Sequence, residues 1–369
     1  MVPRLTLVKL SGGINLRKRA DATARHFDSL TTQIVQLVDR VELTSGLNRT
    51  FHHLPMGTIR NLTHFHIKFD GDGEKSMRLV RQNVPTLQCL SILSRVDANL
   101  SGIIEDDDGG FVEYARLHTL LVELGYGLDK SWQYTSTSAV PFPNLRRLGY
   151  GGGFPFSAGP VLLRGNAATL EFLSLILTRD LVLDLLRCNL FTPTSHPKLQ
   201  CVVLELPLSM RSVNYTDDPA IIQFMMDIAP GAAVRKISKW PLDQASHPPV
   251  LSLLSNHASL QVLALPDLRL SIWDAMTLIQ ALPLLSDLYG KTPTLAPMPI
   301  GVTKRKLVEY VCSNYSPMGT QFRSWYFGDE DSRDLKDTVK PFLLLALACP
   351  NFDCIFIPRN GRVVFMKLM

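Results

Sequence analysis

Apolar residues along this chain recur in a short pattern instead of one long run. In each copy, an apolar residue is followed by a second one three positions later and a third one five positions later, with polar residues frequent between them. Alternating apolar positions at the end of such a triad predict a short β-strand with one buried face. Thirteen copies occur, with first positions at Leu5, Val38, Leu62, Leu87, Leu117, Leu145, Leu170, Leu199, Val234, Leu260, Leu285, Phe322 and Phe352.

The copies define irregular repeats of about 25–37 residues, and two are incomplete. The copies at Val234 and Leu285 have Lys239 and Gly290 where the third apolar residue is expected. A proline stands two residues ahead of six first positions, at Pro3, Pro85, Pro143, Pro197, Pro283 and Pro350. Because proline ends helices and cannot donate to a sheet, it predicts the point where a helix gives way to a strand.

Several segments between the triads have the three- and four-residue apolar spacing of helices. They are 219–229, 249–257, 271–282, 303–313 and 332–348, and Ser271 and Thr303 are predicted N-caps. The last residues, 363–369, are predicted to form a final helical turn. Alternating strands and helices at this period predict one α/β solenoid domain over residues 1–369, with a curved parallel sheet on the concave side and helices on the convex side.

Composition narrows the class of protein. The 369 residues are 46% hydrophobic and only 19% charged, which excludes an intrinsically disordered chain. The net charge of +5 is spread along the chain and predicts no nucleic-acid partner. No apolar run is long enough for a membrane span, and no secretory signal is readable, so we expect no membrane association. Six scattered cysteines then favour thiols in an intracellular compartment, cytoplasmic or nuclear.

No catalytic or metal-binding motif is complete. The acidic run 70–74 resembles a calcium loop, but Arg81 stands where the twelfth ligand is required. The glycines at 149–153 lack dinucleotide-binding spacing, and His52, His53, His64 and His66 lack a complementary cysteine or carboxylate in register. We therefore expect no enzyme, no cofactor and no bound metal.

The Pro-x-Leu-x-x-Leu-x-Leu copies and the closing segment LLLALACPNFD (343–353) resemble leucine-rich-repeat proteins. They are most similar to the repeat half of fungal F-box/leucine-rich-repeat proteins, and among these to a large uncharacterised group of proteins found in early-diverging fungi. The asparagine or cysteine of the usual repeat is replaced in several copies, for example by Asp70, Arg95 and Gly125. The resemblance implies the substrate-binding part of an SCF-type ubiquitin ligase receptor. No F-box is visible before Leu5, so an adaptor and a cullin are expected as partners only if an F-box lies upstream. A free-standing repeat scaffold is the alternative, and an enzyme or metal-binding protein is a remote one.

The repeat register also predicts a binding face. Residues two, four and six positions after each first apolar residue point away from the core. In the C-terminal half these positions include the aromatic residues Trp240, Tyr289, Tyr326 and Phe356, with Lys236 and Lys291 nearby. In the N-terminal half they are polar and basic and include His64, His66 and Arg147. Exposed aromatic residues are typical of protein interfaces, so we expect non-catalytic recognition of a protein on the concave face. The alternative is that loops or a neighbouring helix cover these side chains.

Overall fold

The structure is a computed structural model, and it describes part of the chain. The described residues are 8–10, 40–43, 61–69, 74–94, 103, 112–124, 141–151, 166, 168–177, 182–183, 185, 196–205, 224, 228–229, 231–238, 257–266, 268–291, 293–296, 298–315, 321–327, 335–352, 354–359 and 362–367. The chain divides into two compact units. The first comprises Met1–Ser174 with Arg187–Leu190, and the second comprises Leu175–Leu186 with Phe191–Met369. The single domain expected over 1–369 stays a prediction.

The first unit contains a parallel sheet whose strands follow one another in chain order. Neighbouring strands pair in register, as Phe65, Leu90 and Leu120 do across three successive strands. The strands are β1 (Val8–Leu10), β2 (Arg40–Leu43), β3 (His64–Phe69), β4 (Cys89–Ser94), β5 (Thr119–Leu124) and β6 (Arg147–Gly151). Strand β7 (Phe172–Ile176) has its first three residues in the first unit and its last two in the second.

The second unit repeats this order and ends differently. Its parallel strands are β8 (Cys201–Glu205), β9 (Val234–Ser238), β10 (Val262–Leu265), β11 (Asp287–Gly290), β12 (Ser324–Phe327) and β13 (Cys354–Arg359). The last strand, β14 (Arg362–Lys367), pairs antiparallel with β13. The helical turn predicted at 363–369 is therefore wrong, because this segment forms a hairpin partner for β13. Parallel strands in chain order, one for each repeat, define a leucine-rich-repeat-like solenoid fold.

Nine of the described strands, β4 to β11 and β13, begin from the same turn. The backbone amide of the first triad residue donates to the carbonyl three or four residues before it, as Leu145 donates to Phe142 at 3.3 Å and Leu199 donates to His196 at 3.1 Å. Pro143 and Pro197 are the second residues of these turns. Proline suits that position because its fixed φ matches the turn and its missing amide is not needed there. The recurring proline thus forms the turn that leads into the strand.

The triad side chains form the core on one face of the sheet. In β3 to β6 and in β10 to β12, the inward residues are at most 4% exposed wherever their side chains are described. Trp325 of β12 is fully buried and meets Phe342 edge-on, with ring centroids 5.4 Å apart. Phe342 lies on a helix of residues 335–348, so the inward face of the sheet packs against this helix at β12. The opposite face, which we call the open face, carries the side chains between the triad positions.

One repeat has a different register from the one that the apolar pattern indicates. Val202 of β8 pairs with Arg235 of β9, and Leu204 pairs with Ile237. The true triad is therefore Ala232, Arg235 and Ile237, two residues earlier than the predicted copy at Val234. Arg235 occupies a core position and is fully buried. Its guanidinium donates from the same nitrogen to the carbonyls of residues 228 and 229, at 2.7 and 3.1 Å, and lies 3.2 Å from Nδ1 of His257.

Four α-helices are described. They are α1 (Glu74–Gln82), α2 (Ile272–Ala281), α3 (Leu307–Tyr315) and α4 (Leu335–Ala348), and a 3₁₀ turn over Lys304–Lys306 leads into α3. The helices predicted at 271–282, 303–313 and 332–348 are confirmed. The apolar pattern did not indicate α1, and the helices predicted at 219–229 and 249–257 lie almost entirely outside the described residues.

The two predicted N-caps have different outcomes. The Ser271 hydroxyl accepts a hydrogen bond from the Asp274 amide at 3.1 Å and donates to the Asp274 carboxylate at 2.6 Å, which satisfies the first turn of α2. Thr303 has the extended backbone of a capping residue, but its side chain makes no capping hydrogen bond. The predicted capping role of Ser271 is confirmed and that of Thr303 is wrong.

Candidate functional site

The open face of the second unit carries a continuous cross-strand row of side-chain positions. Strand register places one residue from each of seven successive strands in this row, which we call the central row: Val203, Lys236, Ala264, Tyr289, Tyr326, Phe356 and Phe365. Four of the predicted binding residues fall in it, namely Lys236, Tyr289, Tyr326 and Phe356. The sheet therefore aligns residues that are far apart in the chain.

Tyr289 and Tyr326 form a stacked pair in the middle of the central row. Their ring centroids are 4.1 Å apart and the ring planes differ by only 7°. In-register parallel strands lie about 4.8 Å apart, so two flat rings at paired positions come together face to face. Tyr289 is 37% exposed and Tyr326 is half-buried. Both rings lie on the open face, as the alternation predicts, and neither belongs to the core.

A carboxylate lies beside this pair. Asp287 precedes Tyr289 by two residues and shares its face of the sheet. The Ser286 hydroxyl donates to Oδ2 of Asp287 at 2.6 Å. Burial raises the pKa of Tyr289 and of Tyr326, and the negative charge of Asp287 raises both further. No residue within the described ranges forms an ion pair with Asp287. The stacked rings are therefore next to a carboxylate that has no cation paired with it in this part of the protein.

Two lysines border the pair at different distances. Lys236 is exposed and lies two strands from Tyr289 in the central row, about 10 Å away by strand spacing. The position between them is Ala264, which contributes only a methyl group. Lys291 is half-buried and follows the end of β11, where its backbone amide donates to the Leu268 carbonyl at 3.2 Å. The predicted lysines therefore flank the aromatic pair and do not contact its rings through any described bond.

Two of the predicted aromatic residues are described less fully. Phe356 belongs to β13 and is paired in register with Tyr326, but its side chain lies outside the described part of the structure. Trp240 lies wholly outside the described residues. The aromatic site that the structure describes is therefore the Tyr289–Tyr326 pair.

The open face of the first unit has a different chemistry. Nδ1 of His64 lies 2.9 Å from the Thr63 hydroxyl, and Nδ1 of His66 lies 2.8 Å from the Ser91 hydroxyl. Arg147 lies over the ring of Phe172, with its guanidinium carbon 5.1 Å from the ring centroid. His64 and Arg147 occupy one row but are three strands apart, about 14 Å by strand spacing. These predicted residues are thus held by local contacts and do not form one cluster.

The described residues contain no group of three histidine, cysteine, aspartate or glutamate side chains that could hold a metal ion. No described helix is both long enough and apolar enough to cross a bilayer. What the described part of the chain presents is a parallel sheet with an aromatic and charged open face. This arrangement defines a leucine-rich-repeat-like protein with a candidate interaction surface.

Comparison with known proteins adds one structural likeness. No protein-family model and no curated protein matches the sequence. Among solved structures, the chain is similar to the leucine-rich repeat-containing protein LegL7 from Legionella pneumophila, at 14% sequence identity and a TM-score of 0.43. The similarity covers 88% of this chain and 92% of LegL7.

Proposed function

We propose that this protein is a non-catalytic recognition module that binds a protein partner on the open face of its second unit. The observation that carries the proposal is the stacked Tyr289–Tyr326 pair, which lies on the sheet surface outside the core. Tyrosine is enriched among the residues that dominate binding energy at protein interfaces, because it supplies a large rigid ring and a polar tip. A preformed stack also loses little side-chain freedom on binding.

The residues around the pair fit this role. Ala264, the position next to Tyr289 in the central row, leaves room on one side of the tyrosines, and Phe356 occupies the register position on the other side. Charged groups, Lys236 and Asp287, lie at the border of this surface. An aromatic centre with a polar rim is the usual anatomy of a protein interface.

The test compares what the purified protein captures with and without the pair. A Tyr289→Ala/Tyr326→Ala double variant should lose a partner that the wild type captures and should bind that partner, once purified, more than about tenfold more weakly. Its thermal unfolding curve should stay close to that of the wild type. Leu121→Ala is the matched control, because Leu121 is equally exposed, at 38%, on the open face of the first unit.

Two results would count against the proposal. A large fall in the unfolding temperature of the double variant would show that the rings support the fold. Equal capture by wild type and double variant would show that binding occurs elsewhere. Trp240→Ala, combined with Tyr289→Ala, extends the same test to the aromatic residue that the structure does not describe.

A finer role follows from the sequence resemblance. We propose that the partner is the target of an SCF-type ubiquitin ligase and that this chain is the target-binding part of the receptor. The support is the repeat pattern similar to F-box/leucine-rich-repeat proteins. Affinity purification of the native gene product, together with reading of the frame upstream of Met1, tests this role. Co-purification of the adaptor and cullin is expected, and their absence with a stop codon close upstream favours a free-standing scaffold.

A further inference from the structure

We propose that the open face of the second unit recognises an arginine side chain of its protein partner, which stacks on Tyr289 and pairs with Asp287. This inference rests on the function proposed above and specifies the chemistry of the partner. It predicts that the bound segment is basic, with one arginine as its anchor.

The proposed arginine site contains a carboxylate that can pair with a cation. Asp287 lies on the same strand face as Tyr289, and one oxygen accepts a hydrogen bond from Ser286. The described residues offer no cation within ion-pair distance of Asp287. A half-buried carboxylate of this kind gains a charge-assisted hydrogen bond when a cation docks beside it, and such bonds are roughly twice as strong as neutral ones.

The proposed arginine site also contains one uncovered face of the Tyr289 ring. One face of Tyr289 is covered by Tyr326 at 4.1 Å. On the other side, the paired position in β10 is Ala264, whose methyl group is too small to cover a phenol ring. The outer face of Tyr289 therefore borders an open position in the central row. The face of an aromatic ring is negative and attracts cations.

The ring and the carboxylate together favour arginine over other side chains of a partner. A guanidinium is planar, so it can lie flat against Tyr289 while its edge donates to Asp287, whereas a lysine ammonium cannot stack in this way. Anionic side chains are disfavoured because the negative charge of Asp287 acts on both rings. Two lysines oppose this effect: Lys291 is half-buried just after β11, and Lys236 is exposed about two strand spacings from Tyr289. Neither forms an ion pair with Asp287.

The experiment uses a displayed library of random heptapeptides selected on the full chain. We expect the selected peptides to contain a recurring arginine. A synthetic peptide from this set should lose at least about tenfold in affinity when that arginine is replaced by citrulline, which keeps the shape and removes the charge. Asp287→Asn and Tyr289→Leu should each weaken binding of the arginine peptide by a similar factor. Lys236→Gln should leave it unchanged or strengthen it.

Glu123→Gln is the matched control, because Glu123 is also a carboxylate on an open face but stands on β5 of the first unit. This variant should bind the arginine peptide like the wild type. Peptides that depend on Tyr289 and Tyr326 but carry no arginine, or that tolerate citrulline, would overturn this inference and leave the proposed function standing. Selected peptides that ignore the tyrosine pair, or the failure to select any, would overturn both.

Discussion

Arg235 shows how a single polar residue at a core position can interrupt the apolar pattern by which a repeat is recognised. Its position in β9 corresponds to Val202 in β8 and Leu263 in β10, which are both apolar and buried. Burial lowers the pKa of Arg235 to about 10, so its guanidinium is still charged at neutral pH. Two backbone carbonyls accept hydrogen bonds from it and compensate part of the cost of burying the charge. An apolar pattern cannot indicate such a position, because the residue type is the opposite of the expected one.

A different signal for this register was present in the sequence. With Ala232 as the first triad residue, Pro230 stands two positions ahead of it, as a proline does in six other copies. The proline position depends on the turn and not on the core, so it remains informative when a core residue is polar. The turn and the triad are therefore separate signals and are best used together.

At the residue scale, the alternation of β10 gives a direct stability test. Leu263→Ala removes a fully buried side chain and should lower the free energy of unfolding by about 2–5 kcal/mol. Its neighbour Val262 faces the open side and is half-buried, so Val262→Ala should cost clearly less. Urea unfolding of both variants measures the difference. Equal losses would contradict the assignment of the two faces.

At the element scale, the repeat depends on local turns and caps as much as on strands. The turn before β4 to β11 and before β13 supplies the same backbone hydrogen bond with quite different residues at its first position, such as Tyr114, Phe142 and His196. Strand pairing then extends from the turn, since the Thr63 carbonyl accepts from the amides of both Gln88 and Cys89 in the next repeat. The irregular spacing between the repeats leaves these junctions intact.

The final strand β14 was missed for a reason of the same kind. Segment 363–369 is apolar and suits either a helix or a strand when it is considered alone. The Asn360-Gly361 pair before it is a strong hairpin signal in sequences and favours an antiparallel partner for β13. The choice between the two structures depended on the preceding residues more than on the segment itself.

Helix α2 provides the element-scale prediction. Ser271→Ala removes the hydroxyl that accepts from the Asp274 amide and should lower the free energy of unfolding by about 1 kcal/mol. Thr303→Ala is the matched control, because Thr303 precedes a helical turn without making a capping hydrogen bond. It should change the stability by less than about 0.5 kcal/mol. Chemical denaturation of the two variants measures both effects, and equal losses would show that the cap is not the cause.

At the scale of the whole molecule, the core should make stability depend on alkaline pH. Burial raises the pKa of the Tyr150 phenol well above its ordinary value and raises that of the Cys349 thiol to about 12. In the unfolded chain these groups lose their protons at about pH 10 and 9, while the folded protein still holds them. Because the unfolded state then binds fewer protons, the free energy of unfolding should fall as the pH rises through this range.

Tyr150→Phe isolates the contribution of the phenol. Its free energy of unfolding should decline less steeply than that of the wild type above about pH 10. Denaturant unfolding at several pH values between 8 and about 11 measures the slopes. Parallel slopes for wild type and Tyr150→Phe would contradict the assignment of the alkaline loss to this buried ring.

The amino-acid sequence by itself determined the repeat, most strand positions, the inward and outward sides of the strands and three of the described helices. These features depend on residues close together in the chain, whose spacing directly records a strand or helix period. The tertiary structure decided which outward residues meet. Tyr289 and Tyr326 are 37 positions apart in the sequence, and only in-register pairing of β11 with β12 stacks their rings.

The tertiary structure also decided the surroundings of the tyrosine pair and the place of Arg235. The sequence places Asp287 on the face of Tyr289, but only the contacts of the neighbouring strands show that no described cation pairs with it. Arg235 can be buried because the carbonyls of residues 228 and 229 and the ring of His257 are brought to it. Such environments are assembled from several repeats, so periodicity within one repeat could not reveal them.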